Sequence, residues 1–153
     1  MTTEEMVPDF SAVVPEVRMG RLLEIFPGAQ RALFRGYHIG GCSSCGFGAD
    51  ETLAEVCARQ EGVAVEEVIE FLKRSAESDR QMEVTPREAQ VLVAEKRAVL
   101  VDIRTREEFD AVSVAGSTLF SQELMGQLPG WDPAVLIIFM DHEGKRSPDA
   151  AAY

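Results

Sequence analysis

The hydrophobic pattern of this chain changes period partway along, and that change limits the fold more than any other feature. Up to about residue 76 the apolar residues recur at helical spacing. Met19, Leu22, Leu23 and Phe26 lie one face apart, and Val65, Val68, Ile69 and Leu72 repeat the period. After residue 81 the apolar residues run together instead, at 98–102 and again at 134–139, in stretches too short for helices of their own. Short buried runs alternating with helical patterns imply a parallel sheet covered by helices. The expected fold class is therefore α+β with two domains. A small all-α helical domain, with its lead-in and linker, occupies 1–80, and an α/β parallel sheet occupies 81–153.

Local punctuation divides the first half further. Pro27 and Gly28 stop the first helix, and a second short helix is expected over 29–35 with Gly36 ending it. Residues 37–50 read as a glycine-rich loop. Thr52 with Glu55 forms a capping box at the start of a third helix, whose apolar face is Leu53, Val56 and Cys57. Gly62 separates it from a fourth. Residues 75–81 are polar and charged, a linker by composition. Thr85, Pro86 and Glu88 spell a second capping box with proline at the first helical position. Another short helix is expected over 105–111.

Composition excludes several roles. The chain has 153 residues, of which 46% are hydrophobic, so a packed core is expected rather than disorder. Its net charge is −11, and the acidity is spread along it: residues 1–82 hold 8 basic against 14 acidic groups, and residues 83–153 hold 7 against 12. With no basic stripe, nucleic acid is not an expected partner. No apolar run approaches membrane-spanning length, and Met1-Thr2-Thr3-Glu4-Glu5 opens without the apolar stretch of a leader, so a soluble, cytoplasmic protein is expected.

The chemistry-bearing residues concentrate in Cys42-Ser43-Ser44-Cys45, which holds two of the three cysteines between Gly40-Gly41 and Gly46, Gly48. Two intervening residues bring the sulfurs within disulfide reach or let both thiolates bind one metal. Three readings stay open. The pair is a reversible dithiol/disulfide, with Cys57 a candidate third thiol. Or Cys42, Cys45, Cys57 and His38 are four ligands of the right type for zinc, or part of an iron–sulfur site that needs an outside ligand or a homodimer. Or the segment is only a tight turn. Cys57 on an apolar helix face also reads as a small core residue, and Phe47 either covers the cysteine loop or belongs to the core.

In the second half the run Val99-Leu100-Val101-Asp102-Ile103-Arg104, then Glu108-Phe109, then Val114-Ala115-Gly116-Ser117, then the strand leading into Asp141-His142-Glu143-Gly144-Lys145-Arg146-Ser147 resembles a rhodanese-like domain over about 65 residues. The resemblance implies a strand-end loop that aims backbone N–H groups at one point, an anion site in which the family carries a catalytic cysteine. Asp141 stands at that cysteine position and cannot form a persulfide. Ser113 replaces the family's histidine, and Ala115 its proline. Ordinary sulfurtransferase activity is thus not expected. Asp141, His142, Gly144, Lys145 and Arg146 are expected to form a degenerate loop that binds an anion or a partner, or, alternatively, Asp141 acts as base or nucleophile, or shares a metal with His142 and Glu143. Arg104 is expected to pair with Glu107 or Glu108. The resemblance implies further strand and helix after Tyr153, so this domain is expected to be partial, with an exposed apolar edge.

In the first half, Leu22-Leu23-Glu24-Ile25-Phe26-Pro27-Gly28-Ala29, Gly36 to Cys45, and Glu51-Thr52-Leu53-Ala54-Glu55-Val56-Cys57 resemble the small helical domain of hybrid-cluster-protein-associated redox disulfide proteins. That resemblance implies a redox role for Cys42 and Cys45. Both halves together point to a thiol-redox or sulfur-trafficking accessory protein. Its expected partner is a thiol- or sulfur-handling or cluster-assembly protein, and the alternatives are a metal or iron–sulfur assembly module and a non-catalytic interaction module.

Overall fold

The computed structural model describes residues 9–41 and 46–152. The chain folds into two compact units that divide between Gln81 and Met82.

The first unit is helical: α1 (Met19–Ile25), α2 (Ala29–Tyr37), α3 (Leu53–Ala58) and α4 (Val65–Met82). The helical period in the sequence marks the buried faces. Met19, Leu22, Ala29, Leu33, Leu53, Val68 and Leu72 are wholly buried in one cluster, which Ile39 and Cys57 join. Ahead of α1 a 3-10 turn, Phe10–Ala12, leads Val13 and Val17 into the same core. The capping box at Thr52 is formed in full, since Thr52 accepts from the Glu55 N–H and Glu55 accepts from the Thr52 N–H. The stretch before α3 is laced to the start of α1. Met19 N donates to Glu51 O at 2.8 Å, Gly20 N to Ala49 O at 2.9 Å, and Leu53 N to Val17 O at 2.9 Å.

Two helix ends differ from expectation, each for a physical reason. α2 runs through Gly36 and ends at His38, which takes the left-handed conformation (φ 56°), while Ile39 behind it is buried. Gly36 stays helical because the Phe71 ring packs on it, so that a Cβ there would meet the ring at 2.7 Å. The glycine serves close packing rather than helix termination. α4 continues through 75–81, the stretch whose composition reads as a linker. Ala76 extends its buried stripe, and the Arg31–Asp79 ion pair, at 2.6 Å and part-buried, fastens α4 to α2.

The second unit mixes helix and strand. α5 (Pro86–Ala94) leads into β1 (Ala98–Asp102), then α6 (Arg106–Ala111), β2 (Thr118–Leu119), α7 (Gln122–Gln127), β3 (Leu136–Met140) and α8 (Ser147–Ala151). The three strands are parallel in the order β2-β1-β3, with Ala98 opposite Leu136 and Asp102 opposite both Met140 and Leu119. Capping boxes at Thr85 and Thr105 start α5 and α6. Burial is thinner here. Ala98, Val101 and Leu124 are the fully buried apolar residues among those described, while β3 is half-buried along its length and Leu136 is 52% exposed.

Arg104 departs from expectation as well. It clasps Asp102, not Glu107 or Glu108: its Nη2 lies 2.7 Å from one carboxylate oxygen and its Nε 3.0 Å from the other. Glu108 is already engaged in capping Thr105. The same Nη2 donates to Val112 O at 2.8 Å, so one guanidinium ties the end of β1 to the end of α6.

Candidate functional site

Cys42 and Cys45 lie outside the described residues, so the site is built from what flanks them. Upstream, the chain leaves α2 through His38 and reaches Gly40, at φ +87°. The ring of Phe47 packs on Gly40, where a Cβ would meet its Cε1 at 2.9 Å, and the ring of Phe34 covers Gly41 so closely that no side chain fits there. Phe47, one residue beyond Gly46, thereby joins the upstream and downstream flanks and also packs against the core. Downstream, Arg59 at the end of α3 donates to Gly46 O at 3.3 Å and pairs with Glu51 at 2.6 Å, while Glu51 accepts from the Gly48 N–H. The Gly48 N–H foremost, helped by Arg59, holds the Glu51 carboxyl below its usual range against the opposing effect of burial. Residues 42–45 are therefore flanked by segments fastened on both sides by aromatic rings on glycine and by one arginine.

Cys57 and His38 do not share a setting. Cys57 is 1% exposed within the helical core, and burial first, then the nearby Glu66 carboxylate, pushes its thiol up from the ordinary value. The thiolate needed for metal ligation or nucleophilic attack is disfavoured there. This donor set fits a metal poorly through Cys57. His38 is exposed at the end of α2, its ring edge-on to Phe34 at 5.9 Å. Among the described residues, no group of three or more His, Cys, Asp and Glu gathers as a metal site.

In the second unit the Asp141 loop follows β3. The side chain of Asp141 is 3% exposed and accepts from Arg146 N at 2.9 Å, Lys145 N at 3.1 Å and Ser147 Oγ at 2.9 Å. Burial alone would raise its carboxyl, but these hydrogen bonds outweigh it and hold the group below the ordinary carboxylate range. Gly144, at φ +69°, turns the loop. Arg146 Nε stands 3.9 Å from the carboxylate, and Lys145 pairs with Glu143 at 2.7 Å. The N–H groups expected to meet an external anion thus meet the loop's own carboxylate. His142 is exposed. Beside the loop, at the carboxyl ends of β1 and β3, a shallow cavity of about 240 Å³ is lined by Arg104, Val112, Ser113, Val114, Met140, Asp141 and His142.

Sequence reasoning missed Arg59, Phe34 and the Asp102–Arg104 clasp. Arg104 stands two residues from its partner and could have been found, because a charge ending a buried strand needs a counter-charge nearby. Arg59 gives no such sign, since its contact to Gly46 spans 13 residues. No helix among the described residues is long and apolar enough to cross a membrane. No protein-family model, no curated protein and no solved structure matches the chain.

Proposed function

We propose that this chain is a thiol-redox or sulfur-trafficking accessory protein of a reducing, cytoplasmic compartment. It consists of a helical domain with the C-x-x-C pair and a rhodanese-like domain lacking its catalytic cysteine. The observation that carries the reading is the contrast between the two loops. The flanks of Cys42 and Cys45 are fastened by Phe47 on Gly40 and by Arg59 on Gly46, whereas the Asp141 loop spends its donors on its own carboxylate.

The chemistry is exchange. One thiolate of the pair attacks a sulfur of the partner's disulfide, forming a mixed disulfide and releasing one partner thiolate. The second thiolate then attacks the mixed disulfide and releases the other partner thiol. Two electrons pass to the partner, and a Cys42–Cys45 disulfide remains for a dithiol reductant to restore. With a persulfide donor, the same attack transfers one sulfur atom and releases the donor's thiolate. Cys57, buried with its thiol pushed up, takes no part. The rhodanese-like unit supplies a docking surface and the cavity beside Asp141.

The test measures the rate of disulfide exchange by the reduced protein, its Cys42→Ser/Cys45→Ser double variant and its Asp141→Asn variant. The double variant is expected to fall to the uncatalysed background, with Asp141→Asn within about twofold of wild type. Undiminished activity of the double variant contradicts the reading. So does a chelator requirement before either thiol reacts, which assigns the pair to metal.

A further inference from the structure

We infer that the exposed edge of α2 formed by Phe34, Arg35 and His38 is a docking ledge for an acidic segment of the partner protein, one that presents a single apolar side chain. The inference deepens the redox reading by naming the chemistry of the partner.

Phe34 is 49% exposed, yet its ring is set against Gly41, one residue before Cys42 in the chain, and His38 meets that ring edge-on at 5.9 Å. An aromatic ring that is half in water and fixed on backbone offers apolar area with little ordering cost. Arg35 follows it and is exposed. The other arginines of this unit are mostly spoken for: Arg18 by Asp50, Arg21 by Glu24, Arg31 by Asp79, Arg59 by Glu51 and Arg80 by Glu77. Among the described residues of the unit, Arg35 and Arg74 form no ion pair within 4 Å, and of the two only Arg74 acts on a carboxylate, helping to lower that of Glu70. α2 is also the one described α-helix of this unit without an acidic residue, in a chain of net charge −11. The complement of such a ledge is negative with an apolar anchor, and opposite charge speeds the encounter while like charge rejects other partners.

The test is kept separate from the redox chemistry. Binding is read by fluorescence anisotropy on the Cys42→Ser/Cys45→Ser variant, using a labelled acidic peptide with one central leucine and a basic peptide of the same apolar content. The expected result is binding of the acidic peptide alone, weakened about tenfold by Arg35→Glu and by Phe34→Ala, and weakened by added salt. Equal binding of both peptides, no binding, or binding indifferent to both substitutions overturns the ledge. Circular dichroism of each variant establishes that it is folded. A small neutral disulfide, hydroxyethyl disulfide, then probes the cysteine pair in the wild-type background with Arg35→Glu. Exchange that survives there while peptide binding is indifferent sinks the ledge and spares the redox reading. Failure of that exchange with peptide binding as expected sinks the redox reading and spares the ledge.

Discussion

The two units spend their side chains in different ways. In the helical unit the apolar residues go into one closed core, with Leu22, Leu33, Leu53 and Leu72 wholly buried, and polar contacts fasten the flanks of one short segment. In the α/β unit the apolar residues of β3 stay half-exposed, and the polar contacts at the strand ends are internal. Arg104 is spent on Asp102, and the Asp141 loop on its own carboxylate. The contacts that fasten the flanks of 42–45 come from Phe34, Phe47 and Arg59, outside that segment. A loop that hydrogen-bonds to itself leaves little for a ligand. The two loops therefore carry opposite functional expectations.

The sharpest way to break this comparison is to cut into each core. Leu33→Ala in the helical unit should cost about 3 kcal/mol, the range for a fully buried leucine, while Ile138→Ala in half-buried β3 should cost about 1 kcal/mol. Urea unfolding of the two variants reads the difference, and equal losses would mean that β3 is covered as thoroughly as α2.

A comparable effect should attach to the buried pair in the α/β unit. Asp102→Asn leaves Arg104 without its counter-charge in a nearly closed site (side chains 0% and 10% exposed), and should cost about 3 kcal/mol in the same urea assay. The Arg104 hydrogen bonds foremost hold Asp102 below its ordinary value, against the opposing effect of burial, and Asp141 is depressed too. A depressed carboxylate contributes stability that is present above its unfolded value of about 3.9 and lost as pH falls through the folded value. Thermal unfolding of the α/β unit should therefore weaken below about pH 4 and level off above it. A flat profile from pH 2 to 6 would contradict the assignment of these two groups.

These expectations also show where the sequence was legible. The capping boxes at Thr52 and Thr85 depend on residues three apart, and local spacing carried them, whereas at Thr105 only the short helix was read and not the box of the same spacing that starts it. The strand run 98–102 was equally clear, because a short unbroken apolar stretch ending in Asp102 suits a central parallel strand. The end of α2 was not legible. Whether Gly36 stops a helix or seats a ring depends on Phe71, which is 35 positions away in sequence. The continuation of α4 depends likewise on Asp79 reaching Arg31. At the candidate site, the cysteine motif and the strand-end position of Asp141 could be read from order and spacing. The supports could not, because Arg59 to Gly46 and Phe47 to Gly40 are tertiary contacts with no local signature.

A smaller effect sharpens the comparison from the side of the frame. Gly40→Ala places a side chain at φ +87° against Phe47 and should cost about 1–2 kcal/mol, whereas Gly126→Ala, in open space on α7, should be neutral or slightly stabilising. Thermal melts of the two variants check the contrast, and equal melting temperatures would remove Phe47 from the frame.

The most direct measurement counts thiols by intact mass. The protein is purified without oxygen, equilibrated in glutathione buffers of different potential and alkylated while folded. The account predicts that two labels, mapping to Cys42 and Cys45, disappear together with a midpoint at about −200 to −300 mV. It also predicts that Cys57 takes its label only after unfolding, as a buried thiol should. Labelling of Cys42 and Cys45 at every potential would contradict the account, as would a pair that reacts only after a chelator is added.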